Sequence, residues 1–292
     1  MKDILPVYQI DQFQSNKFDK DFYVNKIDVH AQLHEFAEFP HKHDFFLLLF
    51  ITKGSGTHQV DFEDFEIEPG RFFFIKPGQM HCWNLSRDIE GYVFFHSKDF
   101  YDNYFSSHSI NNFHFFKNYQ TQPFVDLKTE VSQFITTLLG QLHQEYTHNE
   151  EMRISKVHSV IHLIYIEIAR LYQGELKPVT SVYLDKLNKF EALIEEHYLT
   201  CKFPRDYAEM LNITEKHLNR IVKFSLNKTS TELIANRIII EAKRMLLHSV
   251  LPINQISEEL GFNEKSYFNR FFKKQVAQTP KQFRDQFETE RK

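Results

Sequence analysis

The stretch Ser266-Tyr-Phe-Asn-Arg-Phe-Phe-Lys-Lys274 crowds three phenylalanines among basic and polar residues, and fifty residues earlier the chain reads His217-Leu-Asn-Arg-Ile-Val-Lys-Phe224. Laid over each other, Leu218 to Lys223 and Phe268 to Lys273 share one order: apolar, Asn, Arg, apolar, apolar, Lys. A six-position match at that distance marks a duplicated structural unit. In each copy the apolar residues, Leu218, Ile221 and Val222 or Phe268, Phe271 and Phe272, fall on one helical face and belong to a core. The opposite face carries Lys216, Asn219, Arg220 and Lys223 in the first copy, and Lys265, Ser266, Asn269, Arg270 and Lys273 in the second.

The surroundings of the two copies agree as well. Pro204 starts a short helix ending near Leu211, Asn212 takes a left-handed turn, and Thr214 caps the helix that follows. In the second copy Pro252 opens the short helix, Gly261 makes the turn, and Asn263 is the expected N-cap. An uninterrupted helical pattern from Ser230 to Ser249 separates the copies. A helix, a tight turn and a second helix, written twice, suit double-stranded DNA. The first helix of such a unit crosses the backbone and the second enters the major groove. There arginine grips a guanine edge, asparagine an adenine edge, and lysine neutralises phosphate.

Further out, the chain is too long at 292 residues for one core, and two domains are expected. Charge divides the same way: residues from Ser181 onward hold 19 Lys and Arg against 15 Asp and Glu, and the preceding part holds 16 against 24. From about Val24 to Ser97, alternating β-favouring segments such as "FFLLLFIT", "GTHQVDF", "FFFIKP" and "GYVFFH" are divided by glycine and proline turns, a small β-barrel or sandwich. Two helical stripes follow, Leu127, Val131, Phe134, Leu138 and Leu142, then Ile154, Val157, Ile161, Ile164, Ile168 and Leu171. One barrel face does not obviously cover both, so these helices are expected to form a dimer contact. "QGELKPVTS", residues 173 to 181, breaks the second stripe and reads as the linker. The first residues lack a signal-peptide core, the longest apolar run is too short for a bilayer, and the two cysteines lie far apart. A cytoplasmic location with free thiols and no membrane partner is expected.

With these residues in view, Leu184 to Arg284 resembles the DNA-binding domain of AraC/XylS-type bacterial transcription regulators, through "EAKRMLL", "ISEELGF", "SYFNRFFKK" and "TPKQFR". The resemblance implies recognition helices in two successive major grooves, an activator role, RNA polymerase as a partner and a homodimer. Asn227 and Ala277 stand where that family usually has glycine, and Ser230 where it often has proline. "HKHDFFLLLFITKGSG" and "GRFFFIKPGQMHCW" resemble the two motifs of a cupin β-barrel, the sensor domain of many such regulators. The expected fold is therefore α+β in two domains: residues 1–175 cupin-like with following helices, 176–183 a linker, and 184–292 an all-α double helix-turn-helix.

His41, His43 and His81 fall where metal-binding cupins place ligands, yet the carboxylate expected after the first pair is replaced by Phe46-Leu47-Leu48. No metal or other cofactor is expected. His41, His43, His81 and Trp83 are expected instead to contact a small-molecule effector. The competing reading is a metal-dependent cupin enzyme, a dioxygenase or isomerase fused to a helical domain. It lacks support, because no phosphate-cradling loop or histidine with a nucleophile partner is present, and no catalytic residue is assigned.

Overall fold

A computed structural model describes residues 5–13, 20–34, 39–105, 109–110, 113–116, 122–148, 150–171 and 181–290. The chain divides into two compact units, Pro6–Gly174 and Glu175–Lys292. Residues 172–180, and with them most of the expected linker, lie outside the described residues. The last three residues assigned to that linker, Ser181 to Tyr183, are instead the start of a helix. Among the described residues no helix is long and apolar enough to cross a membrane.

In the first unit β1 (Val7–Tyr8), β2 (Phe22–Lys26) and β3 (Lys42–His43) precede the long strand β4 (Phe46–Lys53), with α1 (Ile27–Leu33) after β2. Then come β5 (Gly56–Val60), β6 (Glu63–Ile67), β7 (Arg71–Ile75), β8 (His81–Leu85), β9 (Glu90–His96), α2 (Lys98–Tyr104) and β10 (Phe124–Asp126). The unit closes with α3 (Thr129–Thr147) and α4 (Arg153–Leu171). One sheet has the order β10-β7-β4-β9-β2, a second β6-β5-β8, and β1 pairs with β3.

The run Phe46 to Ile51 is buried at every position, which an ordinary half-exposed strand does not do. Alternation explains it. Leu47, Leu49 and Ile51 face the core shared with Val60, Ile67 and Trp83 of the three-stranded sheet. Phe46, Leu48 and Phe50 face the other way, into a core with Leu138, Leu139, Leu142, Ile161 and Ile164 of α3 and α4. A central strand covered on both sides loses its polar positions. Each such side chain, fully buried, contributes about 1.5–3 kcal/mol. The two helical stripes thus pack largely on their own sheet, and the exceptions are Phe134 and Ile154, exposed at 44% and 41%.

The second unit is helical: α5 (Ser181–His197), α6 (Pro204–Met210), α7 (Glu215–Leu226), α8 (Ser230–His248), α9 (Ile253–Glu259), α10 (Lys265–Val276) and α11 (Pro280–Glu290). The duplication is physical as well as textual. After α6 the amide of Ile213 bonds Ala208 O and that of Asn212 bonds Glu209 O, and after α9 Phe262 and Gly261 repeat the pattern on Ser257 and Glu258. This paired closure turns the chain sharply at a left-handed residue, Asn212 at φ 53° and Gly261 at φ 74°. Helix α8 packs against α5, α6 and α7 of the first copy and α9, α10 and α11 of the second, so one rod supports both. Arg237 of α8 ties to Glu195 of α5 at 2.8 Å, and Arg284 of α11 bonds the carbonyls of Leu246 and Leu251 at 2.9 Å.

Candidate nucleic-acid interface and a buried imidazole cluster

Helices α7 and α10 present the expected faces. Leu218, Ile221 and Val222 are buried in α7, as are Phe268 and Phe272 in α10. Phe271 is only half-buried, its ring 5.3 Å from that of Phe262. Lys216, Arg220 and Lys223, and Lys265, Ser266, Arg270 and Lys273, are all exposed. The two helices begin differently. Thr214 Oγ1 accepts from the amide of His217 at 3.1 Å, the expected cap. In the second copy the cap position is Glu264, not Asn263, and among the described residues no side chain caps the backbone there, although Ser266 Oγ donates to Glu264 Oε2 at 3.2 Å.

The two asparagines behave differently from the lysines and arginines beside them. Asn219 is half-buried, and its Oδ1 accepts from the amide of Ser230 at 3.1 Å and from Ser230 Oγ at 3.3 Å, so it ties α7 to the start of α8. Asn269 has the matching position on α10. There Pro280 replaces Ser230, proline has no N–H to give, and Asn269 Oδ1 is buried without a partner among the described residues. Both side-chain carbonyls point inward. His217 is a residue the sequence pattern passed over: Arg220 Nη2 lies 2.6 Å from His217 Nδ1.

The first unit holds a second concentration of polar chemistry. His41 and His81 face each other across a backbone bridge, their rings 4.3 Å apart. His43 lies 5.0 Å from His81. His58, on β5 directly opposite Trp83 of β8, places Nε2 at 3.1 Å from His81 Nδ1. His30 adds its ring 5.9 Å from Trp83. All five imidazoles are buried. Burial drives them to the neutral form, lowering His30, His43 and His58 to about 3 and His81 well below its ordinary value. His58 was legible only in retrospect, as the inward-facing residue of the alternating segment "GTHQV".

Several ring atoms lack partners. His43 Nε2, His58 Nδ1, His81 Nε2 and Trp83 Nε1 are buried with no hydrogen bond among the described residues. Their roles follow from proton counting. His43 Nδ1 and His41 Nδ1 lie 2.7 and 2.8 Å from the carbonyls of Phe45 and Phe39, so each carries its proton there and Nε2 is an acceptor. In the His58–His81 pair one ring donates to the other, which leaves one free donor and one free acceptor whichever way the shared proton lies. Trp83 can only donate. The cluster is thus uncharged and offers both donors and acceptors. Among the described residues no three His, Cys, Asp or Glu side chains are gathered as a metal site.

Comparison with known proteins follows the same division. A family model described as an AraC-like ligand binding domain matches residues 22–160, and one described as a helix-turn-helix domain matches residues 207–286. The HTH-type transcriptional activator RhaR of Escherichia coli O139:H28 is 24% identical over 258 residues, 85% of this chain and 87% of that protein. The uncharacterized HTH-type transcriptional regulator YfiF of Bacillus subtilis is 21% identical over 272 residues, covering 91% and 84%. Among solved structures, ToxT of Vibrio cholerae O395 is similar at 15% identity over 91% of this chain and 98% of that one, with a TM-score of 0.43.

Proposed function

Since the chain belongs to the AraC/XylS family of transcription regulators, with a ligand-binding domain followed by a helix-turn-helix DNA-binding domain, we propose that it is an effector-controlled activator. The single observation that carries DNA readout is the pair of matching helix-turn-helix units on one supporting rod, each with an exposed arginine and lysines on its second helix. Arg220 and Arg270 contact base edges, and Lys216, Lys223, Lys265 and Lys273 neutralise phosphates, with Ser266 beside them. Activation, rather than repression, is supported by the activator relatives, and an activator needs RNA polymerase as a partner. The work is done in the cytoplasm, where the DNA is. A homodimer is supported by Phe134 and Ile154, left exposed on α3 and α4.

Residues 1–175 act as the sensor, joined through a linker that ends where α5 begins at Ser181, and the helical second unit acts as the reader. The unpartnered ring atoms around His43, His58, His81 and Trp83 support an effector contact there. A neutral cluster with both donors and acceptors suits an uncharged polar molecule, since an ion would meet no counter-charge. We assign no catalysis to it: a neutral imidazole pair without a carboxylate or nucleophile beside it resembles a recognition surface more than a reaction centre. An effector can shift DNA binding only through unequal affinity for two arrangements of the protein. DNA affinity of the full chain is therefore expected to change when deproteinised cell metabolites are added, and the double variant His81→Ala, Trp83→Ala is expected to lose that change. Identical affinity with and without metabolites, together with normal reporter control by the double variant, would make this unit a scaffold.

A further inference from the structure

We propose that His217 is a positioning residue for base readout: it holds the Arg220 guanidinium ready for its base, while Arg270 in the second copy is left unheld, so the two halves of the DNA site are read with unequal stringency. This rests on the reading of Arg220 and Arg270 as base contacts. A guanidinium has donors only, so in the 2.6 Å contact His217 Nδ1 is the acceptor and its ring proton sits on Nε2. His217 is one turn before Arg220, on the same side of α7.

The histidine is itself held at both ends. Its amide donates to Thr214 Oγ1, and its ring meets Tyr183 of α5 edge-on at 5.9 Å. Tyr183 in turn rests edge-on against Phe224, 6.0 Å away. Packing from α5 thus fixes an imidazole, and the imidazole fixes an arginine. The second copy has no such chain. Tyr267 stands at the place of His217, 44% exposed with its ring 5.8 Å from Phe262, and Arg270 has no side-chain partner among the described residues. Arginine is among the side chains with most rotamer freedom to lose on binding. An arginine already ordered in the free protein surrenders less on binding, and one held in place cannot swing to a substitute acceptor when its base is wrong.

The test uses the full chain on a DNA site selected by the unaltered protein, with affinity measured for every single-base substitution. His217→Phe keeps a ring against Tyr183 and removes the acceptor, whereas His217→Gln restores an acceptor without the ring. The expected result for His217→Phe is a loss of about 3- to 10-fold in preference at the positions read by Arg220, with the other half unchanged. His217→Gln is expected to recover most of it, and Tyr267→Phe to alter neither half. Unchanged preference in His217→Phe would overturn the proposal, as would an equal loss in both halves, the mark of a merely structural role. If Arg220→Ala itself left every preference intact, Arg220 would not be a reader; that outcome removes the readout assignment as well and is distinguishable from failure of the histidine alone.

Discussion

His43 and His58 are buried to the point that each gains a proton only near pH 3 in the folded chain, against 6.5 when exposed. His30 behaves alike. Below pH 6.5 the unfolded chain takes up protons that the folded chain refuses, so stability falls as pH drops from 6.5 toward 3. One pH unit below 6.5, each such histidine costs about 1 kcal/mol relative to neutral solution. Urea unfolding of the full chain at pH 7.5 and 5.5 is expected to show a clearly lower midpoint at pH 5.5. An equal or higher midpoint at pH 5.5 contradicts neutral burial of these rings. At this scale the sequence was informative about charge and silent about where the amide carbonyls bond. Arg220, Arg270 and the lysines are exposed where the helical spacing put them, because solvent accepts a cation on any unburied face. The same spacing puts Asn219 on that face, but the partner of its Oδ1, Ser230, lies eleven residues on, in the next helix, where periodicity within α7 carries no information.

Among the elements, two backbone positions test the turn geometry. Ala277 closes α10 at φ 63°, a left-handed conformation that costs an alanine about 1 kcal/mol and a glycine little. Ala277→Gly is therefore expected to raise stability by roughly 0.5 to 1 kcal/mol, read from the thermal midpoint. At Gly261, φ is 74° and an added Cβ would stand 1.8 Å from the carbonyl oxygen of Leu199. Gly261→Ala is expected to cost at least about 2 kcal/mol and to weaken DNA binding through the second copy. A gain in the Gly261 variant, or a loss in the Ala277 variant, would contradict the turn assignments. Both turns were legible, since Asn212 and Gly261 are residues that tolerate positive φ. The departure at Ala277 was also visible, and the structure answers it by keeping the left-handed turn. The cap of α10 was not legible: Asn263 is a good capping residue by type, but the helix begins one residue later, after Glu264. The strands were readable because β4 is so apolar, although only the packed structure separates its odd positions from its even ones.

At the level of the molecule, the acidic first part and basic second part correspond to a unit that gathers neutral imidazoles and a unit that exposes cations. The dimer expectation rests on two apolar stripes set against one sheet face. Most of both stripes is in fact spent on that sheet's outer face, a packing that no count of stripe residues foretells. The duplication itself was the most legible feature, because a repeated helix-turn-helix is local in sequence twice over. For function it predicts a DNA site in two parts. Selection of bound fragments from random double-stranded DNA by the full chain tests this most directly. The predicted result is an enriched site with two elements about one helical turn, roughly 10 base pairs, apart. Arg220→Ala is expected to relax base preference in one element and Arg270→Ala in the other, each at a cost of about 1 to 3 kcal/mol, while Lys273→Ala weakens all sequences alike. No enrichment, or a single element relaxed by both arginine variants together, would contradict a chain that reads two grooves.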